Sequence, residues 1–311
     1  MSTTFPAAQL IAHPESFAAM DPPAILGVFG DPVAHSLSPG FQNAGLDACG
    51  IRGQYVRLHA TSDEIAAALR TIPTAGFLGA NVTIPHKAAA LELVDEADEN
   101  ARRAGAVNTI VVDGGKLLGF STDGPGLSRA VREEFLVDLR DLRVLLLGAG
   151  GGAGRAAAVQ CAMEGCERLV LANRTLDKAR ELAAGLAPFF KSDRLIGPVD
   201  RLAAIPMDES VLRTEMSHVD IVINATPLGM RMTDASPLPA SLLTPSLMVY
   251  DMVYTRGKSR LVREAEAAGA RAAGGLSMLL HQGAQSFEIW FNRPAPLDAM
   301  RAALFDSTNN P

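Results

Sequence analysis

Short apolar runs alternate with alanine-rich stretches along the chain: Ile25 to Phe29, Tyr55 to Leu58, Phe77 to Val82, Val107 to Val112, Val144 to Leu147, Leu169 to Ala172, Ile221 to Ala225 and Met248 to Val253. Runs this short and apolar on both sides suit strands covered on both faces, and the stretches between them suit helices. The pattern therefore predicts an α/β chain built on parallel sheets. Val144 to Leu147 runs straight into Gly148-Ala149-Gly150-Gly151-Gly152-Ala153-Gly154-Arg155 and then an alanine-rich helix, so that strand opens a second domain. Gly124, Pro125 and Gly126 break the chain, which places the boundary within Asp123 to Leu142. Residues 1–23, with Pro6, Pro14, Pro22 and Pro23, read as a loosely ordered extension, and 191–217 as a long irregular connection.

Composition narrows the chemistry. A length of 311 residues suits two domains, and 48% hydrophobic with 20% charged residues suits well-buried cores that need no metal or disulfide to fold. The formal net charge is −6 and no block of Lys or Arg occurs, so neither nucleic acid nor an anionic membrane has an electrostatic footprint. An anionic ligand must then be met by local groups. Cys49, Cys161 and Cys166 are odd in number and lack metal-ligand spacing, which argues against a zinc site or a disulfide framework and for a reducing cytoplasm. The first 23 residues hold no Lys or Arg. No run approaches the roughly 18 apolar residues of a spanning helix, so neither a signal peptide nor a membrane segment is expected.

The glycine loop follows a strand and opens a helix, where backbone N–H groups and the helix dipole can face a pyrophosphate. Gly148 and Gly150 supply the tight turn and the close approach, and Ala153 takes the third position of the pattern. The next strand ends in Asn173-Arg174-Thr175, with Lys178 one turn on, where an NAD enzyme would place an Asp or Glu against the ribose 2′-hydroxyl. A guanidinium there suits a 2′-phosphate, so NADP is expected rather than NAD.

Three polar clusters mark the first domain. In His35-Ser36-Leu37-Ser38-Pro39, Pro39 suits the first helical position and Ser38 its cap, and two hydroxyls beside a helix start can bind a carboxylate without a cation. In Gly79-Ala80-Asn81-Val82-Thr83-Ile84-Pro85-His86-Lys87, Pro85 is expected to start a helix whose first turn holds Lys87. A cation there opposes the helix dipole, an unusual choice for a merely structural lysine and a reasonable one for an acid–base group. In the third, Asn108 can hydrogen-bond ring hydroxyls, and Asp123 at the domain junction can serve as the acceptor that orients Lys87. His86 and His281 adjoin these positions as rim or packing residues.

Taken in order, the serine pair with proline, Asn-Val-Thr-x-Pro-x-Lys, Gly105-Ala106-Val107-Asn108-Thr109, Thr122-Asp123-Gly124, the glycine loop, Asn-Arg-Thr, Asn224-Ala225-Thr226-Pro227-Leu228-Gly229, Tyr250-Asp251-Met252-Val253-Tyr254 and Gly275 through Gln282 resemble the shikimate dehydrogenase family over roughly residues 24 to 293. The resemblance implies two three-layer α/β/α domains with a cleft between them: 24–123 plus 275–311 for substrate and catalysis, and 124–274 as a Rossmann-type NADP-binding domain. It implies reversible reduction of 3-dehydroshikimate to shikimate in the shikimate pathway, with Lys87 and Asp123 as the catalytic pair. Ser36 and Ser38 would hold the substrate carboxylate, while Asn81, Thr83, Asn108, Tyr254 and Gln282 would complete the substrate site. The cofactor would meet Gly148, Ala149, Gly150, Gly151, Gly152, Ala153, Asn173, Arg174, Thr175, Lys178, Ala225, Thr226, Met252, Gly275 and Met278. The glycine loop carries one glycine more than the usual family form, and Ser121 stands where the family commonly has asparagine. Competing readings are a quinate/shikimate dehydrogenase of relaxed specificity and a shikimate-binding regulator without chemistry. Small-molecule substrate, no nucleic acid, no membrane and an optional homodimer complete the expectations.

Overall fold

The computed structural model describes residues 3–191, 200–231, 233–255 and 257–309. The chain forms two compact units, Met1–Thr122 with Leu280–Pro311, and Asp123–Leu279. Part of the expected irregular connection, 192–199, lies outside the described residues.

In chain order the first unit contains β1 (Thr4–Pro6), α1 (Ala7–Ala12), α2 (Glu15–Ala18), β2 (Ala24–Gly30), α3 (Ser38–Ala48), β3 (Gln54–His59), α4 (Ile65–Thr71), β4 (Gly79–Val82), α5 (Lys87–Leu93), β5 (Glu96–Ala97), α6 (Glu99–Ala104), β6 (Thr109–Asp113) and β7 (Lys116–Phe120). The second contains α7 (Asp123–Phe135), β8 (Arg143–Leu147), α8 (Gly152–Glu164), β9 (Arg168–Asn173), α9 (Leu176–Leu186), β10 (Leu202–Pro206), α10 (Glu209–Glu215), β11 (Ile221–Asn224), β12 (Met248–Asp251), α11 (Arg260–Ala267) and β13 (Arg271–Gly274). The division between units falls within α12 (Leu276–Phe291), and α13 (Leu297–Asn309) belongs to the first.

The first sheet has the order β1-β3-β2-β4-β6-β7-β5 and is mixed. Its β1, β2, β3 and β4 pairings are parallel, whereas β6 runs antiparallel to both β4 and β7. The apolar pattern had suggested parallel sheets alone. The exception is a hairpin, because Gly114 and Gly115 both adopt positive φ, at 55° and 83°, the backbone that a tight two-residue turn requires.

The amino-terminal segment is built into this unit and is not a loosely ordered extension. Thr4, Phe5 and Pro6 pair with Arg57, Leu58 and His59 of β3. Ala7, Leu10 and Phe17 are fully buried, and the Phe17 ring meets Phe5 at 5.3 Å and Phe77 at 5.9 Å. Burying such a phenylalanine contributes about 1.5–3 kcal/mol, enough to offset much of the cost of ordering residues whose prolines otherwise read as breaks.

The second sheet runs β10-β9-β8-β11-β12-β13, all parallel, which is the third-second-first-fourth-fifth-sixth order of a dinucleotide-binding fold. Leu145, Leu147 and Val170 face one apolar layer, and Val144, Leu146 and Leu169 face the other. Both faces are covered, which is why these strands lack polar alternation. β10 lies inside the stretch expected to be irregular, and its half-buried Leu-Ala-Ala sequence gave little strand signal. Among the described residues no helix is long and apolar enough to cross a membrane, and no group of His, Cys, Asp and Glu could hold a metal ion.

Candidate functional site

The antiparallel strand β6 decides which polar groups of the first unit meet. Asn81 lies opposite Thr109, and Thr109 lies opposite Phe120. The start of β6, with Asn108, therefore sits beside the carboxyl ends of β4 and β7, where Thr83 and Thr122 follow. A fully parallel sheet would have sent Asn108 to the opposite end of the strands.

A buried hydrogen-bond network joins these residues. The Tyr55 hydroxyl donates to Asn81 Oδ1 at 2.8 Å. Asn81 Nδ2 donates to the Asn108 carbonyl at 3.0 Å and to Thr109 Oγ1 and Ser286 Oγ, each at 3.1 Å. Asn108 Nδ2 reaches Thr122 Oγ1 at 2.8 Å and Gln282 Oε1 at 3.3 Å, while its Oδ1 accepts from the Thr122 N–H at 2.8 Å. The Asn81 carboxamide is thus committed inside the protein, so this residue, expected among the substrate ligands, supports Asn108 from behind. Burial pushes the Tyr55 phenol well above its ordinary pKa and keeps it a donor.

The serine loop differs from its expected form. Leu37 precedes α3 without a side-chain cap, and Ser38 is the first helical residue with Pro39 next. It is Ser36 Oγ that accepts a hydrogen bond, from the Ser38 N–H at 3.3 Å. Ser38 is buried. Arg57 donates twice to the Ser36 carbonyl, from Nε at 3.1 Å and Nη2 at 2.7 Å. Beyond the end of β4, Thr83 ties back through its N–H to the Phe29 carbonyl at 2.8 Å. The following helix begins at Lys87, two residues later than Pro85, with His86 ahead of it. Lys87 is half-buried and its carbonyl accepts from the Val107 N–H at 2.9 Å. His86 is buried against the Ala60 carbonyl, 2.6 Å from Nε2, and His281 is buried as well.

Asp123 opens α7 in the second unit and is only 5% exposed. An acid in a first turn suits the helix dipole. In the same unit Gly148 has φ +84°, and a Cβ on it would lie 2.8 Å from Thr226 Cγ2. A Cβ on Gly150 would fall 2.8 Å from Asn173 Nδ2, whose carboxamide oxygen accepts the Gly150 N–H at 3.3 Å. The close helix–strand approach belongs to Gly154, where a Cβ would lie 2.3 Å from the Gly148 carbonyl oxygen, and not to Ala153 as the motif register suggested. The extra glycine displaces that contact by one residue. Around Gly152 there is open space, and Gly151 caps α8 with no side chain in the way. This leaves room for phosphate oxygens over the N-terminus of a helix of 13 residues.

These clashes give a direct stability prediction. Gly154→Ala should destabilise the ligand-free protein by about 1–3 kcal/mol through overpacking against backbone, whereas Gly152→Ala should stay within about 0.5 kcal/mol. Urea unfolding followed by circular dichroism reads both; equal midpoints for the two variants would show that the register assigned here is wrong.

Arg174, Thr175 and Lys178 are exposed at the start of α9, and Asp177 between them pairs with Arg180 at 3.3 Å. No ion pair of Arg174 occurs among the described residues. On the opposite side of the switch point, Asn224 holds the loops after β11 and β12 together. Its Nδ2 donates to Asp251 Oδ1 at 2.8 Å, and its Oδ1 accepts from the Thr226 N–H at 3.0 Å and hydroxyl at 2.7 Å. Asp251 is fully buried and also accepts from Ser259 Oγ at 2.5 Å and the Val253 N–H at 3.1 Å. Burial raises its carboxyl pKa against these bonds. Ala225 donates its N–H to the Leu147 carbonyl and Met252 its N–H to the Asn224 carbonyl, each at 2.9 Å. Gly275 is pressed against Met252, where a Cβ would come 2.4 Å from the carbonyl oxygen. Met278 lies in the unit's apolar core with its N–H on the Tyr250 hydroxyl at 3.1 Å, and Tyr254 is 41% exposed.

Several of these contributors had no signal in the sequence. Tyr55 and Arg57 sit in an apolar run that reads as core, and Ser286 and Ser259 lie in helical stretches without a motif. Thr109 and Thr122 belonged to quoted motifs but had no assigned task.

Three family models match the chain: the shikimate dehydrogenase substrate binding domain over residues 28–110, shikimate / quinate 5-dehydrogenase over 130–230, and the shikimate 5'-dehydrogenase C-terminal domain over 275–305. A shikimate dehydrogenase (NADP(+)) of Methanopyrus kandleri is 40% identical over 91% of this chain and 95% of its own length. The structure of shikimate 5-dehydrogenase from Thermus thermophilus in complex with NADP(H) and shikimate superposes with a TM-score of 0.79 at 33% identity, covering 91% of this chain and 98% of that one. A quinate dehydrogenase from Corynebacterium glutamicum in complex with NAD gives a TM-score of 0.81 at 28% identity, covering 91% and 99%. With this extent of identity across both units, and with the motifs of each in order, the chain belongs to the shikimate/quinate dehydrogenase family.

Proposed function

We propose that the chain is an NADP-dependent shikimate dehydrogenase that interconverts 3-dehydroshikimate and shikimate in the shikimate pathway, and so serves chorismate and aromatic amino acid biosynthesis. The observation that carries this reading is a likeness to an NADP-dependent shikimate dehydrogenase that runs through both units, over 91% of the chain. The cofactor fits the residues present. The open space over Gly151 and Gly152 suits a pyrophosphate, and the exposed Arg174, Thr175 and Lys178 suit a 2′-phosphate where an acid would repel it.

NADP, when bound, supplies the redox equivalent as a hydride. The chain's own residues bind the ring and manage the proton. Ser36 and Ser38 take the carboxylate through hydroxyl and helix-start N–H groups, and Thr83, Asn108 and Gln282 take ring hydroxyls. Lys87 gives a proton to the 3-oxygen during reduction and removes it during oxidation, while Asp123 accepts from the amine and the hydroxyl and holds both in line. Ala225, Thr226, Met252 and Met278 belong to the cofactor side, and Tyr254 to the substrate side. The proposal also places the enzyme in the cytoplasm, with its substrate and cofactor as partners and self-association into a homodimer left to hydrodynamic measurement.

The deciding assay follows NADPH absorbance with shikimate and with quinate, each with NADP and with NAD. Turnover is expected with shikimate and NADP. Faster turnover with quinate would move the chain to the quinate branch of its family. Tight shikimate binding without any NADPH formation would make it a binding protein.

A further inference from the structure

The serine pair rides on a loop after β2, yet the group that holds this loop in shape comes from the next strand. Tyr55 and Arg57 are two residues apart on β3 and so project from the same face of the sheet. Arg57 closes a two-pronged hydrogen bond on the Ser36 carbonyl, at 3.1 Å and 2.7 Å. Tyr55, with no exposed surface, bonds Asn81 at 2.8 Å.

We infer that Arg57 is a positioning residue that sets the geometry of the serine loop for the substrate carboxylate, an inference that rests on the proposed role of the serine pair. The directions of the bonds follow from Asn81. Its amide faces the Asn108 carbonyl, which can only accept, at 3.0 Å. Its oxygen therefore faces Tyr55 and can only accept, which commits the single phenolic proton to Asn81. Tyr55 thus serves Asn81 and leaves the serine loop to Arg57. A charge-assisted bond is roughly twice as strong as a neutral one, so the serine protons turn to a carboxylate when it arrives. The guanidinium meanwhile holds the backbone of Ser36, leaving its hydroxyl proton available.

The test uses Arg57→Met and Arg57→Lys, each assayed with shikimate and NADP beside Ser38→Ala. Both are expected to raise the KM for shikimate roughly threefold to tenfold, the worth of one net hydrogen bond, with kcat and the KM for NADP within about twofold of the parent. Methyl shikimate, which lacks the carboxylate charge, should show little change in either variant when measured as substrate or as inhibitor. A general loss of structure would weaken both ligands and lower kcat. The penalties of Arg57→Met and Ser38→Ala should combine less than additively. Equal shifts for shikimate and its ester, or a shikimate KM unchanged in both variants while Ser38→Ala raises it, would overturn the positioning role. If Ser38→Ala itself leaves the shikimate KM unchanged, it is the carboxylate reading of the serine pair that fails. Arg57 is only half-buried, so its replacement should leave the unit folded.

Discussion

Lys87→Ala is expected to lower kcat by about 10²–10⁴-fold while leaving the dissociation constant for NADP within about twofold, the range over which a positioned acid–base group contributes. The side chain stands at the first residue of α5, and no acid shares the helix's first turn. Its carbonyl is fixed by the Val107 N–H at 2.9 Å, so the backbone that carries the amine does not depend on the amine. The alanine variant should therefore fold, and the measured loss can be assigned to chemistry. Steady-state rates give the kcat, and fluorescence titration with NADPH gives the affinity. A kcat equal to the parent's would remove Lys87 from the proton transfer, and a matching collapse of NADPH affinity would show that the variant reports on folding.

The second large effect is expected at the end of β9. Arg174→Asp should reduce kcat/KM with NADP by about 10–150-fold, corresponding to roughly 1.5–3 kcal/mol for a hydrogen bond to a charged group. It should leave kcat/KM with NAD equal or higher, since an acid at this place can accept from a ribose 2′-hydroxyl. Arg174 is exposed and, among the described residues, has no ion pair, so its loss should not disturb the unit. Parent activity with NADP should fall as salt is added, because exposed charges are screened over about a Debye length, and the variant should lose that dependence. If the ratio of NADP to NAD activity is the same in both proteins, the 2′-phosphate is held elsewhere.

The glycine loop illustrates how far a motif carries. Its position after one strand and before one helix was legible, because a turn with positive φ demands glycine and the apolar run before it was unambiguous. Its register was not. Several glycines compete within Gly148 to Gly154, and only the packing of α8 against β8 selects Gly154 as the one whose Cβ would strike a carbonyl oxygen at 2.3 Å. The amino-terminal segment failed for the opposite reason. Its prolines were visible, but the partners that make Phe17 and Leu10 worth burying lie in β3 and around Phe77, far along the chain.

Asn81 shows the same limit within the candidate site. A polar residue in a motif reads as a ligand, yet its carboxamide is taken up by Tyr55, Asn108, Thr109 and Ser286. Local sequence by itself determined the α/β class, the glycine turn between β8 and α8 and NADP as the cofactor, and it nominated the serine pair, Lys87 and Asp123 as candidates, because turn chemistry, strand burial and charge are properties of neighbouring residues. Only the tertiary structure decided that β6 runs antiparallel and so carries Asn108 to the polar end of the sheet, and that Arg57 meets the Ser36 carbonyl while Tyr55 meets Asn81. Those relations depend on which strands lie side by side, and strand order is settled by long-range burial that no short window of sequence contains.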